Sequence, residues 1–147
     1  MNKKSRIMNS KLSSVVTKLM HGDIVVVADA GLPVPPGVDT LDLAIQPGIP
    51  NLEHILPLLK EELVIENVIV ASEMEKVNKS RFDYVHELFG NMKSSGGDDL
   101  IRVLDHDHIE EMLPKAKLIV QTAEISPYGN VVFVGGVSFF EVGMAGD

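Results

Sequence analysis

A run of five apolar residues at 24–28 constrains the fold of this chain more than any other feature. Four of the five residues are β-branched and no polar side chain interrupts them, which predicts a strand buried on both faces. Gly22 stands just before this strand, and Asp29 with a proline-rich loop follows it. A strand of this kind is typical of a sheet covered by helices on both sides.

Helix-like and strand-like segments alternate along the chain. Residues 10–20 carry apolar side chains at helical spacing, with Asn9 or Ser10 as the N-cap, and Gly22 is expected to end this helix. Further helices are predicted from Asn51 through Leu59, at 78–89 and at 107–113, and strands at 24–28, 41–45, 68–71, 101–104, 117–122 and 131–134. This alternation predicts a single α/β domain over residues 1–147, with three α/β/α layers around a largely parallel sheet.

Composition excludes several classes of function. The length of 147 residues suits one domain, and a formal net charge of −8 argues against a nucleic-acid partner, because phosphate binding requires clustered Lys and Arg. The chain has no cysteine, which excludes disulfide and thiolate chemistry. No run approaches the ~20 apolar residues of a membrane span, and the basic residues 1–6 are not followed by the apolar segment of a signal peptide. A cytoplasmic protein without a membrane partner is the expectation.

Two polar side chains flank the first buried strand. His21 lies at the predicted end of a helix, where an imidazole could transfer protons or could simply cap the last carbonyls. Asp29 follows the carboxyl end of the strand, which is the edge where α/β sheets bind ligands. It could instead be a loop aspartate that closes an Asx turn over Ala30 and Gly31. The residues alone leave these alternatives open.

Other candidate groups lie later in the chain. Tyr128 and Asn130 flank Gly129 and offer an aromatic face, a phenol and an amide, a mixture that suits sugar hydroxyls, although a turn with a half-buried tyrosine is the alternative. His106 and His108 do not predict a metal site, because no recognisable motif supplies a third ligand. One of them is expected to reach the strand edge and the other to be solvated. Phosphate-binding glycine loops and the serine-hydrolase G-x-S-x-G elbow are absent from the sequence.

Several motifs together resemble one known family. They are residues 21–33 (HGDIVVVADAGLP), 46–50 (QPGIP), 124–130 (EISPYGN) and 136–139 (GVSF). In order and spacing they are similar to the ribose pyranase and fucose mutarotase family, and residues 31–33 and 126–128 follow its ribose-type branch. The resemblance runs from about Lys4 to Phe139. It implies an isomerase that interconverts the pyranose and furanose forms of free ribose, without a metal or an organic cofactor.

The resemblance also assigns roles to five residues. It implies that His21 is the catalytic proton donor and that four residues contact the sugar: Asp29, His106, Tyr128 and Asn130. Two alternatives are a fucose-type mutarotase and a non-catalytic sugar-binding protein. Members of the family tend to end near Phe139, so residues 140–147 are expected to form a C-terminal extension.

The spacing of His21 and Asp29 bears on assembly. A strand of about six residues separates them, which at ~3.3 Å per residue is roughly 20 Å, too far for one pentose to bridge. We therefore expect the two residues to serve the pockets of different subunits in a symmetric homo-oligomer. The resemblance implies a closed ring, with a pentamer or a decamer expected.

Overall fold

Side-chain caps set the beginnings of the main helices. The computed structural model describes residues 5–137. Asn9 accepts a hydrogen bond from the backbone N–H of Leu12, at 3.0 Å, and begins α1 (Ser10–Lys18). Asn51 and Asp105 begin two further helices in the same way. The remaining helices are α2 (Leu52–Glu62), α3 (Ser72–Val77), α4 (Lys79–Phe89), α5 (His106–Met112) and the 3₁₀ turn Leu113–Lys115.

Six strands form a single mixed sheet. They are β1 (Ile24–Ala28), β2 (Thr40–Asp42), β3 (Ile65–Ala71), β4 (Ile101–Leu104), β5 (Leu118–Gln121) and β6 (Val131–Gly135), in the order β2-β5-β1-β6-β3-β4. Strand β6 runs antiparallel to both of its neighbours, and the other five strands share one direction. The largely parallel sheet is confirmed, with its one reversed strand in the interior.

Helices cover both faces of the sheet. On one face, α1, α2 and α4 pack on the side chains of Val25, Val27 and Phe133. On the other face, Ile109 of α5 and Leu113 pack on Val26 and its neighbours. Residues 25–28 of β1 are 0% exposed, because alternate side chains enter the two cores. The predicted three-layer α/β/α architecture is confirmed.

The main differences from the predicted elements lie at their ends. Helix α1 ends at Lys18 and not at Gly22, because the Asp23 carboxylate accepts from the backbone N–H of Met20 and turns the chain back toward β1. Strand β2 stops at Asp42, whose side chain accepts from the N–H of Ala44. Helix α3 was not predicted, since a segment of fewer than two turns shows no helical periodicity.

The topology gathers several chain segments at one edge of the sheet. This edge, called the carboxyl edge below, holds the ends of β1, β3, β4 and β5 and the start of the antiparallel β6. Asp29, His106 and the loop at 124–130 therefore come together there. None of the helices within residues 5–137 is long and apolar enough to cross a bilayer. The predicted extension at 140–147 lies outside the described residues.

Candidate active site

A cavity of about 340 Å³ opens at the carboxyl edge of the sheet. The structure brings four of the sequence-predicted site residues into its wall. The lining residues are Asp29, Gly31, Leu32, Pro33, His106, Pro127, Tyr128 and Asn130. This volume lies in the range of small-molecule sites, which combine an apolar wall with a few placed polar groups.

Asp29 connects the two loops that form the cavity. One carboxylate oxygen accepts from the N–H of Gly31 at 3.0 Å, which is the Asx-turn contact, and the other accepts from the N–H of Gly129 at 3.1 Å. The backbone N–H of Asp29 donates to Oδ1 of Asn130 at 2.7 Å. Burial raises the pKa of the Asp29 carboxyl, and its backbone hydrogen bonds and the nearby His106 offset this only in part. Asp29 therefore closes the Asx turn and also lines the cavity.

His106 and Tyr128 form the aromatic part of the wall. Their ring centroids lie 5.2 Å apart and the rings meet edge to face, at 78°. Nε2 of His106 lies 2.8 Å from a carboxylate oxygen of Glu110, one helical turn along α5. Its backbone N–H donates to Glu73 at 3.1 Å. Within the described part of the chain, Nδ1 of His106 is buried and lacks a hydrogen-bond partner.

The backbone of Tyr128 is left-handed, with φ of +54°. This conformation costs an L-residue about 1–2 kcal/mol and persists where the surrounding structure holds it. The neighbouring Asn130 is only 2% exposed, and its side-chain oxygen is already engaged by Asp29. The loop therefore presents Tyr128 to the cavity from a constrained backbone.

His21 is not brought to the cavity within one chain. It lies exposed in the turn between α1 and β1, at the edge of the sheet opposite to Asp29. The five residues of β1 alone span roughly 16 Å at 3.3 Å per residue. The alternative that His21 caps α1 is wrong, since that helix ends at Lys18 with Leu19 as its C-cap. The catalytic role of His21 stays a prediction.

The His106–His108 segment lies at the start of α5. His106 lines the cavity, whereas His108 is 64% exposed and lies 2.8 Å from the carboxylate of Asp105. Among residues 5–137, no three His, Asp or Glu side chains are grouped so that they could hold a metal ion.

Sequence reasoning missed several polar residues around the site. They include Glu110, which lies beside His106. They also include three residues of a largely buried polar cluster beneath the 124–130 loop: Asn78, Arg81 and Glu124. Glu124 falls within a motif that carries the family resemblance, so a signal for it was present. Asn78 and Arg81 lie 43–49 residues from their loop partners, and no local pattern marks them.

Residues 2–138 match the family described as the RbsD / FucU transport protein family. The chain is 36% identical over 137 residues to the D-ribose pyranase of Pseudomonas putida (strain GB-1), covering 93% of this chain and 99% of that protein. The D-ribose pyranase of Bacillus subtilis (strain 168) is similar to the same extent, with 36% identity and 93% and 99% coverage.

Solved structures give a matching result. The structure of Bacillus subtilis RbsD complexed with D-ribose superposes with a TM-score of 0.84 at 35% identity, covering 93% of this chain and 98% of that one. The fucose mutarotase of Streptococcus pneumoniae, in complex with L-fucose, superposes with a TM-score of 0.69 at 19% identity, covering 93% and 99%. The second likeness shows a shared fold and no more.

Proposed function

The chain belongs to the RbsD/FucU family, and from that premise we propose that it is an isomerase that interconverts the pyranose and furanose forms of free D-ribose. The cavity that holds Asp29, His106, Tyr128 and Asn130 together is the observation that carries this proposal. Support comes from the relatives named D-ribose pyranase and from the relative solved with D-ribose. The likeness to a fucose mutarotase supports the fold alone.

The reaction requires two coordinated proton transfers. In ring opening, the anomeric hydroxyl loses its proton, the bond between C1 and the ring oxygen breaks, and that oxygen gains a proton. Closure by a different sugar hydroxyl reverses these steps, so atoms and electrons balance. An ordinary imidazole titrates near pH 6.5 and can both accept and donate at neutrality. We assign this proton transfer to His21.

The cavity residues are assigned to sugar binding. The Asp29 carboxylate, which accepts from Gly31 and Gly129, is placed to accept a hydroxyl proton as well. His106 would hold a second hydroxyl. Tyr128 and Asn130 would orient the opened chain, since a phenol and an amide offer both donors and acceptors. The absence of a metal and of an organic cofactor, and the cytoplasmic location, stay predictions.

We propose that the site is completed by a second copy of the chain in a homo-oligomer. His21 and the cavity lie at opposite edges of the sheet, and exposed apolar side chains stand at both places. Met20, beside His21, is 70% exposed, while Ile45 and Ile125, which line a separate pocket with Ala30 next to Asp29, are 79% and 71% exposed. A contact between two different surfaces closes into a ring when the rotation allows it. This supports a ring-like assembly, with a pentamer or decamer expected.

The proposed reaction is tested by exchange NMR on free sugars. We expect the rate of exchange between ribopyranose and ribofuranose signals to rise in proportion to the protein concentration, and ribose to respond more than L-fucose. A stronger response with L-fucose would favour a fucose-type mutarotase. Ribose binding without any rise in the exchange rate would indicate a non-catalytic sugar-binding protein and would contradict the proposal.

The raised pKa of the Asp29 carboxyl predicts a pH dependence of ribose binding. Its pKa is raised in the folded chain, so the ionised form costs folding stability, and protonation as the pH falls removes that cost. A protonated Asp29 is a poorer acceptor for a sugar hydroxyl. We therefore expect ribose affinity to fall with decreasing pH, starting above the ordinary aspartate pKa of about 3.9, without loss of fold stability from this group.

NMR titration with ribose at several pH values measures this effect. The matched variant Asp29→Asn keeps an oxygen acceptor and cannot ionise, so its ribose affinity should be low and should lack this pH dependence. Equal ribose affinity of the wild type across the range would show that Asp29 does not bind the sugar as an anion.

A further inference from the structure

A largely buried polar cluster, here called the loop anchor, lies beneath the 124–130 loop and consists of Asn78, Arg81, Glu124 and Ser126. Glu124 is only 3% exposed. Its carboxylate accepts from the Ser126 hydroxyl at 2.6 Å, from the backbone N–H of Leu52 at 3.0 Å, and from the Arg81 guanidinium at 3.1–3.2 Å. Burial alone would raise the pKa of Glu124, but these hydrogen bonds lower it. A buried carboxylate is thus fully paired.

Asn78 joins the loop anchor to the residue just before Tyr128. Its side-chain amide donates to the Ser126 hydroxyl at 2.8 Å and to the carbonyl of Pro127 at 2.8 Å, and Asn78 is 7% exposed. Asn78 immediately precedes α4, and Arg81 lies in the first turn of α4. The start of this helix therefore contacts the loop through both side chains. Two consecutive loop residues are fixed in this way.

The two residues after Tyr128 are hydrogen-bonded to Asp29 in the cavity wall. The N–H of Gly129 donates to Asp29, and the side chain of Asn130 accepts from the backbone of Asp29. Tyr128 itself is left-handed between these two attachments, in a conformation that few non-glycine residues adopt without support. The loop anchor supplies that support on the side of Ser126 and Pro127.

We propose that Asn78, Arg81 and Glu124 are positioning residues for the sugar reaction, because they hold the loop in the shape that keeps the Tyr128 ring against His106 in the cavity. This inference rests on the proposed function for its kinetic consequence. A buried ion pair adds little to stability compared with apolar packing, so its contribution here lies in selecting one loop conformation.

The test follows Tyr128 directly. The chain contains two tyrosines and no tryptophan, so Tyr84→Phe leaves Tyr128 as the only tyrosine, while keeping the ring that lies 5.8 Å from the Arg81 guanidinium. The full-length protein labelled with 3-fluorotyrosine in this background reports Tyr128 by a single ¹⁹F signal. We expect one sharp signal that shifts when ribose is added.

Ser126→Ala and Asn78→Ala each remove part of the loop anchor without touching the cavity. In both, we expect the ¹⁹F signal to broaden or divide, and kcat/KM for ribose exchange to fall roughly ten- to hundredfold, mainly through a higher KM. Ser126→Thr keeps the hydroxyl and should restore the single signal and most of the activity. Glu53→Gln removes only an exposed partner of Arg81 and should behave as the wild type.

An unchanged ¹⁹F signal with wild-type kinetics in Ser126→Ala and Asn78→Ala would overturn the proposal. So would a Ser126→Thr variant that stays as impaired as Ser126→Ala. If the wild type does not accelerate ribose exchange, the proposed function fails, yet the ¹⁹F signals of the variants still decide whether the loop anchor holds Tyr128.

Discussion

Replacing His21 with alanine is expected to slow ribose ring exchange by about 10²–10⁴-fold, the range that positioned acid–base groups contribute. The fold should tolerate this change. His21 is exposed in a turn, and surface substitutions away from special features change stability by about ±0.5 kcal/mol or less. Ribose should still bind, because the four cavity residues do not depend on His21 within their own chain.

Exchange NMR measures the rate, and ligand titration with thermal unfolding measures binding and stability in the same preparation. His108→Ala is the matched control, since this histidine is also exposed, at 64%, and does not line the cavity. The His108→Ala variant should catalyse ribose ring exchange at the wild-type rate. Undiminished exchange in His21→Ala would refute the assignment of proton transfer to this residue.

Mixing two inactive variants is expected to restore activity. If each cavity receives His21 from another copy, an oligomer assembled from His21→Ala and Asp29→Asn chains contains sites in which both groups are native. Random assortment of equal amounts makes roughly a quarter of the sites complete, because the first variant supplies intact cavities and the second supplies intact histidines. Each variant alone should remain nearly inactive.

Co-expression of the two chains with different affinity tags allows the mixed oligomer to be purified and its ribose exchange rate measured. A mixture of His21→Ala with His21→Ala,Asp29→Asn chains is the control, since neither chain carries His21 and no activity should return. If the first mixed oligomer shows only the sum of the two residual activities, the site does not combine residues of different subunits.

Local patterns predict the layers of this fold but not the direction of every strand. The apolar runs that became β1 and β5 predict buried strands, and alternating helices then favour a parallel sheet. The run that became β6 is also apolar and rich in valine, so nothing in it indicates that it enters the middle of the sheet antiparallel. Strand direction depends on the connection, which here is the short segment 122–130 between β5 and β6.

The candidate site was predictable to the extent that strand ends mark it. Asp29 follows β1, and Tyr128 with Asn130 precedes β6, so topology alone brings them to one edge. The residues alone indicate that either His106 or His108 reaches the strand edge, and only the family resemblance selects His106 as a sugar contact. Asn78 and Arg81 could not be found from sequence, because their function depends on packing α4 beneath a loop more than 40 residues away.

A structure of the assembled protein with bound ribose tests the central claim most directly. The account predicts ribose in the cavity of Asp29 and Tyr128, with the imidazole of His21 from a neighbouring copy within about 2.6–3.2 Å of the anomeric or ring oxygen. Ribose bound in that cavity with no His21 imidazole in reach, from any copy, would contradict it.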